Sequence, residues 1–104
     1  MVRQIEERFP HLESSVSSGY GSTETGLISW APGWMLKAAP DCVGPLMPTS
    51  QARITDDDGT ELPPGAEGNI EARSWMSMLG YWHNDDANAE TVRPGRWIRT
   101  GDFG

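Results

Sequence analysis

The sequence predicts a mainly β fold with short helices (α+β), in which the strands form a small distorted antiparallel β-barrel. The 104 residues include 12 glycines and 8 prolines, which indicates frequent turns between short elements. The hydrophobic share is 37%, which is enough for one small core. Apolar runs are short and bounded by turn residues, as expected for strands. The chain is therefore predicted to form one small domain.

The chain is predicted to begin with a short helix. Apolar residues spaced i, i+3, i+7 are separated by charged ones, and they are Val2, Ile5 and Phe9. This spacing predicts one apolar helix face over about two turns, and Pro10 ends it. Residues 12–18 are rich in serine and predict a short strand that leads into a glycine loop at Gly19.

The middle of the chain is predicted to hold strands separated by turns. Residues 27–35 are apolar and aromatic, but a Pro-Gly pair interrupts them, which predicts a strand followed by a turn. Prolines make the next stretch irregular. Residues 52–55 and 61–65 flank an Asp-Gly pair, which predicts a strand, a tight hairpin turn and a loop.

The last third is predicted to add two strands around a short helix. In residues 68–73, apolar and charged side chains alternate, which indicates a strand with Ile70 and Ala72 facing opposite Glu71 and Arg73. Asp85 or Asp86 is predicted to cap a helix that runs through Val92, and a Pro-Gly pair ends it. Residues 96–99, in which Trp97 stands between arginines, predict the final strand.

Composition excludes several classes of function. The formal net charge is −7 and Lys37 is the only lysine, so the chain lacks the clustered cations that bind nucleic acid. Cys42 is the only cysteine, which excludes an intrachain disulfide and suits a reducing cytoplasm. No apolar run approaches the ~18–20 residues that span a bilayer, and residues 1–8 are too charged for a secretory signal. We expect a cytoplasmic protein with no transmembrane segment and no nucleic-acid partner.

Residues 19–25, Gly-Tyr-Gly-Ser-Thr-Glu-Thr, form the most informative motif. Its glycines let a ligand approach the main chain closely, and Tyr20 offers a flat face for a purine ring. Thr23 can donate to a phosphate oxygen, and Glu24 can hold a Mg²⁺ that bridges phosphates. The motif therefore indicates an ATP site, with an ordinary loop whose aromatic covers a core as the alternative.

Two other patterns are weaker candidates for metal sites. Three aspartates at residues 56–58 precede Gly59, as in a calcium loop, but Ile54 stands where the first ligand is needed. A solvated hairpin tip explains them better. His11 and His83 have no partner at metal-ligand spacing, so they are interpreted as surface or packing residues.

Three ordered motifs together resemble the adenylate-forming enzymes. They are YGSTE at residues 20–24, GNIEAR at 68–73 with GYW at 80–82, and WIRTGD at 97–102. This superfamily contains acyl-CoA synthetases, aryl-CoA ligases, luciferases and the adenylation domains of peptide synthetases. The resemblance runs from Phe9 to Gly104 and is strongest to a fatty-acyl-CoA synthetase. It departs from the family pattern at Asn69, where an acid is usual, and at Ser74, where glycine is common.

The resemblance implies a place in the family fold and a set of site residues. Residues 1–26 would form a helix-strand-loop segment that carries the first motif, and residues 27–104 a β-barrel-like subdomain, the third of the large N-terminal domain. The implied nucleotide-binding residues are Gly19, Tyr20, Gly21, Thr23 and Asp102. Thr23 and Glu24 would be catalytic, with Thr23 on phosphate and Glu24 on Mg²⁺, and Gly26 and Leu27 would lie at the acyl pocket.

Asp102 has a role in the resemblance that its residue type supports. A carboxylate offers two acceptor oxygens, which suits the vicinal diol of a ribose. The alternative is an aspartate that only shapes a Thr-Gly-Asp turn.

The activity implied by the resemblance is that of an acyl-CoA synthetase. Such an enzyme activates a carboxylic acid, here a fatty acid, with ATP and Mg²⁺ to an acyl-adenylate, and transfers the acyl group to coenzyme A. An aryl-CoA ligase or another adenylating enzyme is the alternative within the family. A non-catalytic β-barrel that serves as a binding module is the alternative outside it.

The sequence also predicts which apolar side chains are buried. Residues 68–82 are expected to hold the barrel together, so the core is predicted to include Trp75, Met76, Met78, Leu79, Tyr81 and Trp82. Trp30, Trp34 and Met35 are expected to form an exposed apolar surface instead. Because large apolar patches promote association, we expect self-association through these residues.

The 104-residue chain by itself is expected to lack ligase activity. The family's phosphate loop with its lysine, and its mobile C-terminal domain with a second lysine, have no counterpart here, so we expect a part of a longer enzyme. Pyrophosphate release with ATP, Mg²⁺ and a panel of fatty acids measures this directly. Turnover above a blank without protein would contradict the expectation.

Overall fold

The structure, a computed structural model, describes residues 2–12 and 15–104. Its α-helices are α1 (Val2–Arg8), α2 (Gly33–Ala38) and α3 (Asp85–Thr91). Its strands are β1 (Ser18–Ser22), β2 (Gly26–Ala31), β3 (Ser50–Thr55), β4 (Asn69–Ser74), β5 (Val92–Arg93) and β6 (Trp97–Phe103). Short 3₁₀ turns span Pro10–Leu12 and Pro94–Arg96.

Within the described residues the strands pair in two antiparallel sheets. β1 and β2 form a two-stranded sheet, and the other strands form a four-stranded sheet in the order β3-β4-β6-β5. This confirms the mainly β class with short helices. The larger sheet does not close into a barrel in the part of the chain that is described. Its edges are β3 and β5, and β5 contributes two residues.

The glycine loop predicted at Gly19 is part of a strand instead. Gly19 pairs with Trp30 across the β1–β2 sheet. A Cβ on Gly19 would lie 3.1 Å from both the Leu27 Cδ1 atom and the Ser29 carbonyl oxygen. Glycine therefore allows these two strands to lie close together, where sequence reasoning assigned it only to loops.

The N-terminal segment departs from the predicted strand boundary, whereas the division of the chain after residue 26 stays a prediction. The strand predicted over residues 12–18 falls partly on residues 13 and 14, which lie outside the described residues, and β1 begins at Ser18. The proposed boundary between residues 26 and 27 lies inside β2, which pairs with β1.

A helix replaces the turn predicted at Pro32-Gly33. Pro32 is the N-cap of α2, and the helix buries Leu36 at 2% exposure. Proline suits a helix start, because its fixed φ and its missing N–H cost little there. The same residues that end β2 therefore begin α2.

α3 confirms the helix predicted after residue 84, with a different cap. Asn84 is the N-cap residue, and its Oδ1 accepts a hydrogen bond from the Ala87 N–H at 3.1 Å. Asp85 and Asp86 lie in the first turn, where negative charge is favourable.

The buried apolar core is small and lies between β2, α2 and the four-stranded sheet. Its members are Ile28, Ala31, Leu36, Ala72 and Ile98. The prediction of a core in residues 75–82 is wrong, because Trp75, Leu79 and Trp82 are 84%, 91% and 89% exposed. Met76 and Tyr81 are also exposed, and Met78 is half-buried. β4 ends at Ser74, so these residues lie on a loop outside both sheets.

The apolar surface predicted near α2 is present in part. Trp30 is 46% exposed and Trp34 is 68% exposed, whereas Met35 is half-buried. Self-association through this surface stays a prediction. Among the described residues, the helices are all too short or too polar to cross a membrane.

A buried carboxylate holds the larger sheet together. Glu71 on β4 is 0% exposed and lies between Arg53 on β3 and Arg99 on β6. The Arg53 Nη2 and Nε atoms donate to Glu71 Oε1 at 2.7 and 3.0 Å, and Arg99 Nε donates to Oε2 at 3.3 Å. A buried charge is tolerated when it is paired in this way, and breaking such a pair is costly.

The guanidinium of Arg53 also takes part in a stack on the same sheet. The Cζ atoms of Arg53 and Arg73 lie 4.3 and 4.5 Å from the ring centroid of Trp97. Cations over an indole face are attracted by its quadrupole. Trp97, at the start of β6, is therefore fixed by contacts from both β3 and β4.

Glu71→Gln is expected to reduce the free energy of unfolding by about 2–4 kcal/mol, because it leaves two arginines without their buried counter-charge. Glu67→Gln, at an exposed position, is the control and is expected to change stability by less than about 0.5 kcal/mol. Urea unfolding followed by tryptophan fluorescence measures both. Equal stability of the two variants would contradict a central role for Glu71.

Candidate nucleotide-binding site

Tyr20 lies on β1 beside an irregularity in the pairing with β2. Tyr20 pairs with Ser29, but the next residue, Gly21, pairs with Leu27, so Ile28 is an extra residue in β2. A bulge of this kind increases the local twist and redirects side chains. Gly21 is required here, because a Cβ would collide with the main chain of β2.

Asp102 lies on a second irregular segment, near the end of β6. The register between β4 and β6 shifts opposite residues 100–102. Gly101 has a φ of 83°, in the left-handed region that favours glycine. The Thr100 hydroxyl accepts a hydrogen bond from the Asp102 N–H at 3.1 Å. Asp102 is therefore presented by a bulged strand rather than by a simple turn.

The two distant motifs meet in a direct hydrogen bond. The Tyr20 hydroxyl donates to Asp102 Oδ2 at 2.6 Å, across 82 positions in sequence. Burial raises the pKa of Tyr20, and the hydrogen bond to the Asp102 carboxylate raises this pKa further. Tyr20 therefore keeps its proton at neutral pH. Asp102 retains a second oxygen and further lone pairs for another donor.

Glu24 lies in the turn between β1 and β2. Its side chain is hydrogen-bonded to Tyr81, which the sequence predicted to be a core residue. The Tyr81 hydroxyl donates to Glu24 Oε1 at 3.1 Å. Hydrogen bonds from the Glu24 main chain, then from Ser22 and Tyr81, lower the pKa of the carboxyl group. The side chain is therefore an anion at neutral pH. The GYW motif was the signal in the sequence, but its partner lies 57 residues away.

The same turn is fixed by side chains that the sequence analysis did not single out. Thr25 is 1% exposed, and its Oγ1 lies 3.0 Å from the Ser22 Oγ. Thr25 Oγ1 also accepts from the Ser22 N–H at 3.1 Å and donates to the Gly26 carbonyl at 2.9 Å. These bonds close the turn and leave Thr23 exposed at its tip.

Several predicted site residues line one open cleft. The cleft has a volume of about 420 Å³, and its lining includes Gly19, Gly21, Gly26 and Leu27. Gly26 has a φ of 70°, and a Cβ there would lie 2.8 Å from the Met76 Cβ. Two of the residues assigned to the nucleotide, Gly19 and Gly21, thus border the same space as the residues assigned to the acyl group.

A larger cleft of about 550 Å³ contains none of the predicted site residues. Arg73 and Arg96 are the cations in its lining. Both guanidiniums donate to main-chain carbonyls, Arg73 Nη1 to Gly95 at 3.1 Å and Arg96 Nη2 to Met78 at 2.9 Å. We therefore place the candidate site beside the smaller cleft, which Gly19 and Gly21 line. The residues that line it do not include Tyr20, Thr23, Glu24 or Asp102.

The carboxylate of Glu24 fits a Mg²⁺ ion only if phosphate oxygens of a nucleotide supply further ligands. Within residues 2–12 and 15–104, no group of three or more His, Cys, Asp or Glu side chains is arranged to hold a metal. Mg²⁺ is commonly bound through one or two carboxylates, with substrate phosphates and water completing its shell. Glu24 supplies one carboxylate of this kind.

The calcium-loop alternative finds no support in the geometry. Asp56 Oδ1 accepts from the N–H groups of Asp58 and Thr60, each at 2.9 Å, so this oxygen stabilises the hairpin tip. His11 and His83 are both exposed.

Comparison with known proteins gives consistent matches. Residues 1–82 match the family described as AMP-binding enzyme. The chain is 35% identical over 101 residues to a long-chain-fatty-acid–CoA ligase of Escherichia coli O6:H1, covering 95% of this chain and 18% of that protein. It is 38% identical over 105 residues to 4-coumarate–CoA ligase-like 6 of Oryza sativa subsp. japonica, covering 97% of this chain and 18% of that protein. The crystal structure of VinN matches 99% of this chain and 26% of that one, with a TM-score of 0.84 and 35% identity.

Asp102→Ala is expected to lower the pKa of Tyr20 toward its ordinary value of 10.0, because both the hydrogen bond and the negative charge are lost. Since this pKa is raised in the folded chain, the contact stabilises the fold below pH 10 and ceases to do so as the pH rises through the folded pKa.

Tyrosine ¹³Cζ NMR across alkaline pH resolves both tyrosines. Tyr81, whose hydroxyl bonds Glu24, serves as the internal control and is expected to keep its midpoint. An unchanged midpoint for Tyr20 would contradict the contact between the motifs.

Proposed function

The chain belongs to the AMP-binding enzyme family, and on that premise we propose that it forms the nucleotide-holding part of an acyl-CoA synthetase. Because it spans 18% of the length of the curated relatives, the activity proposed is that of a longer protein. In that reaction a carboxylate oxygen attacks the α-phosphorus of ATP and pyrophosphate leaves. The thiol of coenzyme A then attacks the acyl carbon, and AMP leaves.

The hydrogen bond between Tyr20 and Asp102 is the observation that carries this proposal. It brings a flat ring and a carboxylate together at 2.6 Å, beside main chain that two glycines leave accessible. A purine would lie against the Tyr20 ring, and the remaining lone pairs of Asp102 would accept from the ribose hydroxyls. This one contact therefore supports a site for the base and the sugar at Tyr20 and Asp102.

Glu24 and Thr23 would serve the phosphates. Thr23 is exposed at the tip of the β1–β2 turn, where its hydroxyl can donate to a phosphate oxygen. Glu24 would hold Mg²⁺ together with phosphate oxygens and water. When bound, Mg²⁺ would neutralise charge on the phosphates, which makes pyrophosphate a better leaving group.

The substrate proposed is a carboxylic acid, and a fatty acid is favoured. Gly26 and Leu27 line the open cleft next to the proposed nucleotide residues, which supports an apolar acyl group there. The similarity to a fatty-acid ligase of E. coli supports the same choice. The similarity to a 4-coumarate ligase-like protein keeps an aryl acid as the second candidate.

A non-catalytic binding module is the candidate from a different class. It is favoured only if the cleft binds no nucleotide. A measurement of AMP binding therefore separates the synthetase from the binding module. AMP is the suitable probe because its binding does not require the β- and γ-phosphates of ATP or the Mg²⁺ that they bind.

AMP is expected to bind the 104-residue chain weakly and to shift the amide signals of residues 19–23 and 102 in ¹H–¹⁵N NMR. Asp102→Ala is expected to weaken this binding by about tenfold to a hundredfold, since hydrogen bonds to a charged acceptor contribute roughly 1.5–3 kcal/mol. Asp58→Ala, at the exposed hairpin tip, is the matched control.

The ligand 2′,3′-dideoxy-AMP completes this test, because it lacks the ribose hydroxyls. The parent chain and Asp102→Ala are expected to bind it equally. Equal affinity of both proteins for AMP itself would exclude a ribose contact from Asp102.

A further inference from the structure

We propose that Tyr81 is a positioning residue that aims the Glu24 carboxylate at a divalent cation, and that Asn88 on α3 holds Tyr81 in place. The inference rests on the proposed function, because Glu24 is taken there as the residue that meets Mg²⁺. It adds two side chains that neither the motifs nor the relatives' names assign to the site. Both act through Glu24 and touch no substrate.

The loop after β4 is bonded to the turn that carries Glu24. The Met78 N–H donates to the Glu24 carbonyl at 2.7 Å, and the Ser74 hydroxyl donates to the Thr25 carbonyl at 3.1 Å. The Tyr81 hydroxyl then reaches Glu24 Oε1 at 3.1 Å. Glu24 is therefore held by its main chain and by its side chain from one and the same loop.

Asn88 fixes the main chain of Tyr81 on both sides. Its Oδ1 accepts from the Tyr81 N–H at 2.6 Å, and its Nδ2 donates to the Tyr81 carbonyl at 3.0 Å. Gly80 permits this approach, because a Cβ there would lie 3.1 Å from Asn88 Oδ1. The Asn88 amide thus pairs with the N–H and the carbonyl of Tyr81, as the main chain of a neighbouring strand would in a β-sheet. α3 thereby anchors the loop.

This arrangement has an energetic purpose for Glu24. A glutamate that is fixed in one rotamer loses conformational entropy, and a cation that binds a mobile glutamate has to offset that loss. Tyr81 orders the side chain beforehand and uses one of roughly four lone-pair directions of the carboxylate. The others stay available to a metal ion.

A purely structural role makes a different prediction. If the bond between Tyr81 and Glu24 only held the loop, its loss would weaken the fold and would affect nucleotide binding with and without metal equally. If the bond positions the carboxylate, its loss lowers only the gain in nucleotide affinity that the metal ion provides. A double-mutant cycle with Glu24 separates these cases.

The experiment compares AMP binding without metal with ATP binding in EDTA and in Mg²⁺, by NMR titration of the 104-residue chain. Tyr81→Phe is expected to keep AMP affinity within about twofold and to lower the Mg²⁺-dependent gain in ATP affinity by about three- to tenfold. Asn88→Ala is expected to act in the same direction and provides a second variant if Tyr81→Phe does not fold. Asn69→Ala, which also removes a side-chain amide, is the matched control for Asn88→Ala and is expected to leave the Mg²⁺-dependent gain unchanged.

Two further readouts complete the test. Mn²⁺ with ATP is expected to broaden the Glu24 amide signal in the parent chain and to broaden it less in Tyr81→Phe. In a Glu24→Gln background, Tyr81→Phe is expected to have no further effect on the Mg²⁺-dependent gain.

The outcomes decide between the two proposals. If the parent chain binds AMP and gains affinity for ATP with Mg²⁺, a gain that is unaltered by Tyr81→Phe and Asn88→Ala would overturn this inference alone. If the parent chain binds AMP but shows no such gain, the Mg²⁺ role proposed for Glu24 is overturned together with this inference, and the proposed binding of the base and ribose is unaffected. An undiminished effect of Tyr81→Phe in the Glu24→Gln background would overturn this inference alone. Failure of the parent chain to bind AMP would overturn the proposed function and this inference together.

Discussion

The buried Glu71 carboxylate is the constraint on which the rest of the larger sheet depends. It accepts hydrogen bonds from an arginine on each neighbouring strand, so it ties β3, β4 and β6 in one register. A slip of one residue would turn Glu71 to the other face and leave both arginines unpaired. Asp102 follows Arg99 by three positions on β6 and lies in the segment where the register with β4 shifts, so Glu71 fixes the strand just before that irregularity.

Two tyrosine–carboxylate pairs then connect elements that are far apart in sequence. Tyr20 joins β1 to the end of β6 through Asp102, and Tyr81 joins the loop before α3 to the β1–β2 turn through Glu24. Each tyrosine is a neutral donor that uses part of a carboxylate's acceptor capacity. Both carboxylates are thus ordered and still able to accept from, or bind, a ligand.

Sequence patterns were informative where the period or the cap chemistry was local. The alternation in residues 68–73 predicted β4, and the aspartates at 85 and 86 predicted α3, although the cap is Asn84. The patterns failed where one residue type is compatible with two kinds of local structure. Glycine 19 was assigned to a loop but allows close strands, and Pro32 was assigned to a turn but begins α2. The role of Tyr81 depends on a contact with a residue 57 positions away, which no local pattern contains.

A crystal structure of the chain with AMP tests the central claim, that the two distant motifs form one nucleotide site. The account predicts the adenine against the Tyr20 ring and a ribose hydroxyl within hydrogen-bond distance of Asp102, with the Tyr20–Asp102 bond of 2.6 Å retained. AMP bound in the cleft between Arg73 and Arg96, with Tyr20 and Asp102 apart, would contradict it.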